Sequence, residues 1–209
     1  MVAGSSPAGP TILFPLKTNN KILKNTIIIY LTGKPGVGKY TIAKELARNK
    51  DYIVCDNQLI NTPIFELMGY DGLTKIPELC WQSVKRIRDE IYSFLTNYKQ
   101  GNYILTNNLY EDDGDRNLYQ QVKNRADSRG SFFVPIKLRI NEQEHLKRIT
   151  RIERRIKLKT IDAQFALDKT PLLSFSHDNL LELEISNLEP IDAAHIIEHH
   201  IMVLVKKPD

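Results

Sequence analysis

The sequence predicts an α/β protein built on a mostly parallel, five-stranded sheet with helices on both faces. Three observations carry that prediction. Short apolar runs of strand length alternate with stretches of helical periodicity along the chain, the pattern of repeated strand–helix–strand crossovers. The first run, Thr26 to Leu31 (TIIIYL), is apolar throughout, as a strand covered on both faces must be. Its polar counterparts gather just after the strands, where open parallel sheets bind ligands.

The elements follow in order. Gly33, Pro35, Gly36 and Gly38 punctuate the chain after the first run, and Ile42, Ala43 and Leu46 mark one face of a first helix. Tyr52–Cys55 reads as a second strand ending at Asp56-Asn57, and loops around a short helix at Ile64–Met68 are expected next. Val84, Ile87, Ile91, Leu95 and Tyr98 share a helical face over Glu78–Tyr98, which Gly101 stops. Tyr103–Thr106 is a third strand, followed by Asn107, Asn108 and an acidic loop, Glu111–Asp115. A helix over Arg116–Asp127 ends near Gly130, and Phe132–Leu138 is a fourth strand. Pro135 argues against a regular central position for that strand. Asn141 with Glu144 signals a helix start, and the helix is expected to run through Ile149 and Ile152 into a basic cluster. A short helix over Asp162–Asp168, a fifth strand over Leu180–Ile185 and a closing helix over Pro190–Val205 complete the reading.

Length and composition bound the function. A chain of 209 residues is one domain, or one with a small lid. Cys55 and Cys80 are too few and too far apart for a disulfide framework or a zinc site. No apolar run approaches the roughly 20 residues of a membrane span, and the start lacks the order of a signal peptide. A reducing cytoplasm and no membrane partner are therefore expected. Residues Met1–Asn20 are rich in Gly, Ser, Pro and Asn around an apolar island, Ile12–Leu16, and read as a flexible arm. Lys147 to Lys159 holds seven basic residues and one acid within a chain of net charge +4. So local a cluster points to a phosphate ligand more than to a nucleic-acid-coating surface.

The strongest motif is Gly33-Lys34-Pro35-Gly36-Val37-Gly38-Lys39, which meets G-x-x-x-x-G-K between a strand and a helix. Glycines let consecutive backbone N–H groups turn around an anion. The following helix adds its free N–H groups and dipole, and Lys39 brings a full charge. The usual metal-binding hydroxyl after the lysine is replaced by Tyr40, with Thr41 one place later.

This stretch resembles the P-loop kinases of small molecules and nucleotides, such as adenylate, shikimate and gluconate kinases. The resemblance implies a P-loop NTPase-type three-layer sandwich, a helical lid at about residues 148–170, and ATP with Mg²⁺ as cofactors. It implies that Gly33, Pro35, Gly36, Val37, Gly38, Lys39, Tyr40 and Thr41 hold the triphosphate, with Thr41 and Asp56 toward the metal. It also implies that Lys39, Asp56 and the arginines of RITRIERRIKLK serve transfer of the γ-phosphate. Arg148, Arg151 and Arg155 fall at i, i+3 and i+7, on one helical face, with Arg154 beside them. The backbone around Ser186–Pro190 is expected near the adenine.

The expected function is an ATP-dependent phosphotransferase acting on an unidentified small-molecule or nucleotide acceptor, as a monomer or homodimer. A polynucleotide-end kinase or phosphotransferase toxin is the first alternative, although the basic segment lacks interleaved aromatics for base stacking. A non-catalytic ATP- or GTP-binding protein is the second. Tyr40 favours it, as does Thr106-Asn107-Asn108 where a third-strand acid is expected, leaving Asp56 or one of Asp112, Asp113 and Asp115 for the metal. Lys85, Arg86, Arg88, Lys123, Arg125 and Arg129 stand open between the cleft and an ordinary helix surface, and Trp81 between core, acceptor-pocket wall and dimer contact.

Overall fold

The computed structural model of the protein describes residues 26–48 and 50–206; the expected N-terminal arm lies outside these residues. Five strands, β1 (Ile27–Thr32), β2 (Tyr52–Cys55), β3 (Asn102–Asn107), β4 (Phe132–Arg139) and β5 (Leu181–Glu184), form one sheet in the order β2-β3-β1-β4-β5. Every neighbouring pair is parallel. β1 is central, with its whole length buried. Its alternation divides the core: Ile28 and Tyr30 face one layer, and Ile27, Ile29 and Leu31 the other.

The first layer is α2 (Asn57–Met68), α3 (Glu78–Asn97) and α4 (Asp113–Arg129); the second is α1 (Lys39–Ala47) and α8 (Pro190–Lys206). Three short helices, α5 (Glu142–Ile149), α6 (Glu153–Ile156) and α7 (Gln164–Leu167), fill the interval between β4 and β5. This is the expected three-layer α/β sandwich. Because the chain runs to β2 and β3 on one side of β1 and to β4 and β5 on the other, the sheet has its switch point at β1. The loop after β1 therefore opens onto the ligand-binding edge.

Several elements depart from the sequence reading. A helix runs from Asn57 where loops were expected, and Pro63 lies inside it. The Asp56 side chain caps this helix by accepting from Leu59 N (3.0 Å), and Ile60, Asn61 and Phe65 bury along it. These gains offset a proline penalty of about 3 kcal/mol. Pro135 does occupy a central strand, opposite Tyr30. Pairing with β5 starts only at Ile136, so no ladder donor is lost there. The acidic loop is shorter than expected, since Asp113 and Asp115 already belong to α4, capped by Asp112.

The helix α5 ends at Ile149 rather than running on through Ile152. Thr150 is its C-cap, and its hydroxyl (2.8 Å) and N–H (3.4 Å) both bond the Leu146 carbonyl. The chain then turns before α6. Arg148, Arg151 and Arg155 therefore do not share a helical face.

Arg129, one of the helix cations left open by the sequence, is buried and donates to the carbonyls of Leu95, Tyr98, Gln100 and Gly101. It ties the end of α3 to the start of β3 and stands outside the cleft described next.

Candidate active site

The segment joining β1 to α1 is shaped by its glycines. Gly36 has φ of +86°, and a Cβ there would come within 2.9 Å of Ile149 Cβ. Gly38, the N-cap of α1, has φ of +113°. Both are left-handed conformations that a side chain resists. Gly36→Ala is expected to lower stability by about 1–3 kcal/mol, read as a shift in the urea midpoint, and to weaken nucleotide binding together with it.

Two side chains of α5 hold this loop from outside. His145 is buried and its Nε2 lies 2.5 Å from the Pro35 carbonyl, which fixes the donor on that nitrogen. Arg148 donates to the carbonyls of Val37 (3.2 Å) and Ile185 (3.1 Å) and to Glu144 (2.8 Å). Ile149 fills the space beside Gly36.

Burial lowers the His145 pKa from 6.5, the Pro35 bond opposes this, and Lys34, Lys39 and Arg154 add to the lowering. The folded state thus binds fewer protons here than the unfolded chain, so the stability that neutral His145 contributes is present above its unfolded pKa. It is lost as pH falls below about 6.5. A urea midpoint that falls between pH 7 and pH 5.5 in the wild type, and falls less in His145→Gln, checks this.

Lys39 is buried and donates to the carbonyls of Gly33 (2.6 Å) and Lys34 (2.8 Å) and to Asn108 Oδ1 (2.7 Å). Burial holds its pKa well below the usual lysine value, and the nearby charges of Arg154 and Lys159 lower it further. An anion at the loop would offset all three effects. Burying an ammonium beside two other cations is costly, and the Asp56 charge offsets only part of that cost.

The loop opens on a cleft of about 870 Å³. Pro35, Gly36, Gly38, Lys39, Tyr40 and Thr41 line it, with Asp56 and Asn57 from the end of β2 and Asn107 and Asn108 from the end of β3. Arg151, Arg154 and Lys159 come from the segment between α5 and β5. Of the four arginines singled out in the sequence, Arg151 and Arg154 reach the cleft. Arg148 supports the loop, and Arg155 is exposed outside the lining. Ser186 is held by Glu184 and by Asn141 N (2.7 Å), next to the Ile185 carbonyl that Arg148 grips.

Asp56 combines both readings open in the sequence. One carboxylate oxygen caps α2, and the other accepts from Lys159 Nζ at 3.0 Å. Lys159 also stands 4.4 Å above the centroid of the Tyr40 ring. Its pKa is lowered by burial and raised again by Asp56. Arg154 donates from Nε to the Thr160 carbonyl (3.0 Å), and burial brings its pKa down to about 10. The segment carrying these cations is fastened over the cleft. Gln58 Nε2 donates to the Leu158 carbonyl (2.9 Å), and the Gly72 carbonyl accepts from Ile161 N (3.0 Å) and Thr160 Oγ1 (3.2 Å).

The absence of a third-strand acid has a structural reason. Asn107 is buried and accepts from the hydroxyls of Tyr30 and Tyr92 at 3.1 Å each, while its Nδ2 donates to Asn57 Oδ1 at 3.1 Å. A carboxylate there would lose the donor to Asn57. Of Asp112, Asp113 and Asp115, only Asp115 lines the cleft, and it accepts from Tyr110 N at 2.7 Å. Thr41 and Asp56, the residues expected toward Mg²⁺, both line the cleft, as do the carboxylates Asp115 and Glu153; such oxygen donors suit the ion when phosphate oxygens and water complete its shell. Among the described residues there is no cluster of three His, Cys, Asp or Glu able to hold a metal by itself.

Sequence reasoning missed Lys159 as the partner of Asp56, Asn108 as the partner of Lys39, and His145 under the loop. Lys159 sat within the basic run that was counted. His145 had no local signal.

No protein-family model and no curated protein matches the chain. Solved structures do. A candidate kinase of Chloroflexus aurantiacus superposes with a TM-score of 0.63 at 15% identity, covering 87% of this chain and 98% of its own. A sugar kinase from Janibacter gives 0.56 at 15% identity, covering 88% and 96%. A gluconokinase from Sinorhizobium meliloti gives 0.56 at 10% identity, covering 86% and 93%. No helix among the described residues is long and apolar enough to cross a membrane. A central β1, a glycine loop leading into α1 and a parallel five-stranded sheet give this chain an α/β fold similar to that of these solved structures.

Proposed function

We propose that the protein is an ATP-dependent phosphotransferase that moves the γ-phosphoryl group of ATP to a small-molecule or nucleotide acceptor. One observation carries the reading. The glycine loop with Lys39, the buried carboxylate Asp56, and the cations Arg151, Arg154 and Lys159 converge on one cleft beyond the strand ends. Bound ATP would supply the phosphoryl group, and Mg²⁺, for which Thr41 and Asp56 are the residues that would hold it, would help activate the leaving group.

The protein's own contribution is positioning and charge. Backbone N–H groups from Gly36 to Thr41 and the α1 dipole orient the phosphates, and Lys39 leaves its carbonyl partners for them. Arg151 and Arg154 neutralise charge that develops during transfer. Asp56 orients the acceptor hydroxyl or holds the metal, and is released for this when Lys159 swings from it to a phosphate. The segment 150–170 acts as the lid that carries these cations and excludes water.

Tyr40 favours a second reading, binding without transfer, because it stands where a metal hydroxyl is usual and carries Lys159 on its ring. Incubation with γ-labelled ATP and a panel of sugars, hydroxy acids and nucleotides separates the two. Label on any acceptor supports transfer, whereas ATP binding with no label transferred and no hydrolysis supports the second reading. Tyr40→Ser is expected to leave turnover similar or to tighten Mg²⁺ binding. A large loss of turnover would give Tyr40 an active role instead.

A further inference from the structure

The cleft contains polar groups that neither the phosphate loop nor its cations use. Five buried side-chain polar atoms lack a hydrogen-bond partner among the described residues, and three of them, on Arg88, Asn61 and Tyr110, belong to residues lining this cleft. Folded proteins rarely leave such atoms unpaired, and each asks for an explanation. Arg88 is the sharpest case. Its Nε is buried and unpartnered, and among the described residues no carboxylate forms an ion pair with it. The nearby acid, Asp115, feels the Arg88 charge without a hydrogen bond to it, and one of its oxygens accepts from the Tyr110 backbone N–H. A guanidinium left in this state has the planar donor fork that fits an oxyanion.

The apolar part of the same cleft is aromatic. Phe65 meets Trp81 edge-on, with ring centroids 5.6 Å apart, and Tyr70 at 5.0 Å. All three line the cleft, as do Ile76 and Phe165. Trp81 remains 38% exposed, so its ring is open to a ligand. Trp81 and Arg88 lie seven residues apart on α3, two turns along one face, which separates them by roughly 10 Å along the axis.

We infer that the acceptor site takes a ligand with an oxyanion, phosphate or carboxylate, joined to a flat ring roughly 10 Å away: Arg88 holds the oxyanion, Asn61 and Tyr110 hydrogen-bond its polar substituents, and the Phe65–Trp81 wall holds the ring. That this ligand is the phosphoryl acceptor rests on the phosphotransferase reading. A bare sugar phosphate lacks the ring, and a neutral nucleoside lacks the charge that Arg88 selects.

Trp81 is the sole tryptophan of the chain, so its fluorescence reports the site directly. With the loop saturated by a non-hydrolysable ATP analogue, two series are titrated. They are nucleoside 5′-monophosphates against the parent nucleosides, and aryl carboxylates against the matching amides. In at least one series the anionic member is expected to bind roughly tenfold or more tightly than its neutral partner, as a charged hydrogen bond predicts. The series that responds identifies phosphate or carboxylate. Arg88→Gln should erase the preference, with its thermal midpoint and ATP affinity as controls, and Arg88→Lys should keep part of it. No preference in either series, or a preference that survives in folded Arg88→Gln, overturns the inference. A wild type that binds ATP but shows no preference overturns it alone. A wild type that binds no ATP overturns the phosphotransferase reading, while an Arg88-dependent preference would still establish the oxyanion site.

Discussion

Asp56→Asn is expected to lower phosphoryl transfer by at least about a hundredfold, the low end of what a positioned general base contributes. The substitution suits the site. Asn caps a helix about as well as Asp, so the bond to Leu59 N is kept and α2 stays anchored. What is lost is the charge that faces Lys159 at 3.0 Å and that an acceptor proton or a metal would need. ATP affinity measured without metal should change little, since Lys39 and the loop hold the phosphates independently. A thermal midpoint near that of the wild type would separate chemistry from folding. Near-normal turnover would remove Asp56 from the mechanism and leave its carboxylate a cap with an ion pair. Asp115, the one other carboxylate of the three weighed in the sequence that lines the cleft, would then be the residue to change.

Lys39→Ala should weaken ATP by roughly tenfold or more, because a charge-assisted hydrogen bond contributes about 1.5–3 kcal/mol. The fold should survive and could gain. Lys39 is a buried cation whose charge is disfavoured by burial and by its cationic neighbours, so its removal relieves a cost as well as three hydrogen bonds. A raised or unchanged urea midpoint with lost ATP binding is the signature expected of a residue kept for its ligand. Unchanged ATP affinity in the folded variant would contradict the assignment of the loop. Calorimetric titration of both proteins reads both quantities.

The parts of this site that were legible in the sequence are those whose signal is local. Ile27 to Lys39 carries strand, glycine turns and lysine within one short stretch, and the chain folds there as the spacing requires. Asp56 was legible because it follows a strand directly. The parts that were not legible are contacts between residues far apart in the chain. Nothing near Asn107 announces the two tyrosine hydroxyls that make an amide, rather than a carboxylate, the residue that fits. Lys159 meets Asp56 across 103 positions, and His145 meets Pro35 across 110.

The arginine stripe failed for a different reason. Its spacing is real, but α5 ends at Ile149 with Thr150 as its C-cap, so the helix that the spacing assumed is broken. Of the arginines that periodicity grouped, Arg148 bonds the Val37 carbonyl of the glycine loop and Arg151 lines the cleft. Pro135 was read as a reason against a regular central strand, yet the pairing with β5 starts only at Ile136, which leaves no ladder donor to lose.

The central claim is that this cleft transfers phosphate and does more than hold a nucleotide. The most direct measurement is ADP formation from ATP and Mg²⁺ by wild type and Asp56→Asn at equal ATP occupancy, with water as the stand-in acceptor. Slow ADP release by the wild type, reduced at least about a hundredfold in Asp56→Asn, is the predicted result. Equal ADP release by the two proteins, or tight ATP binding by the wild type with no ADP formed, would contradict it.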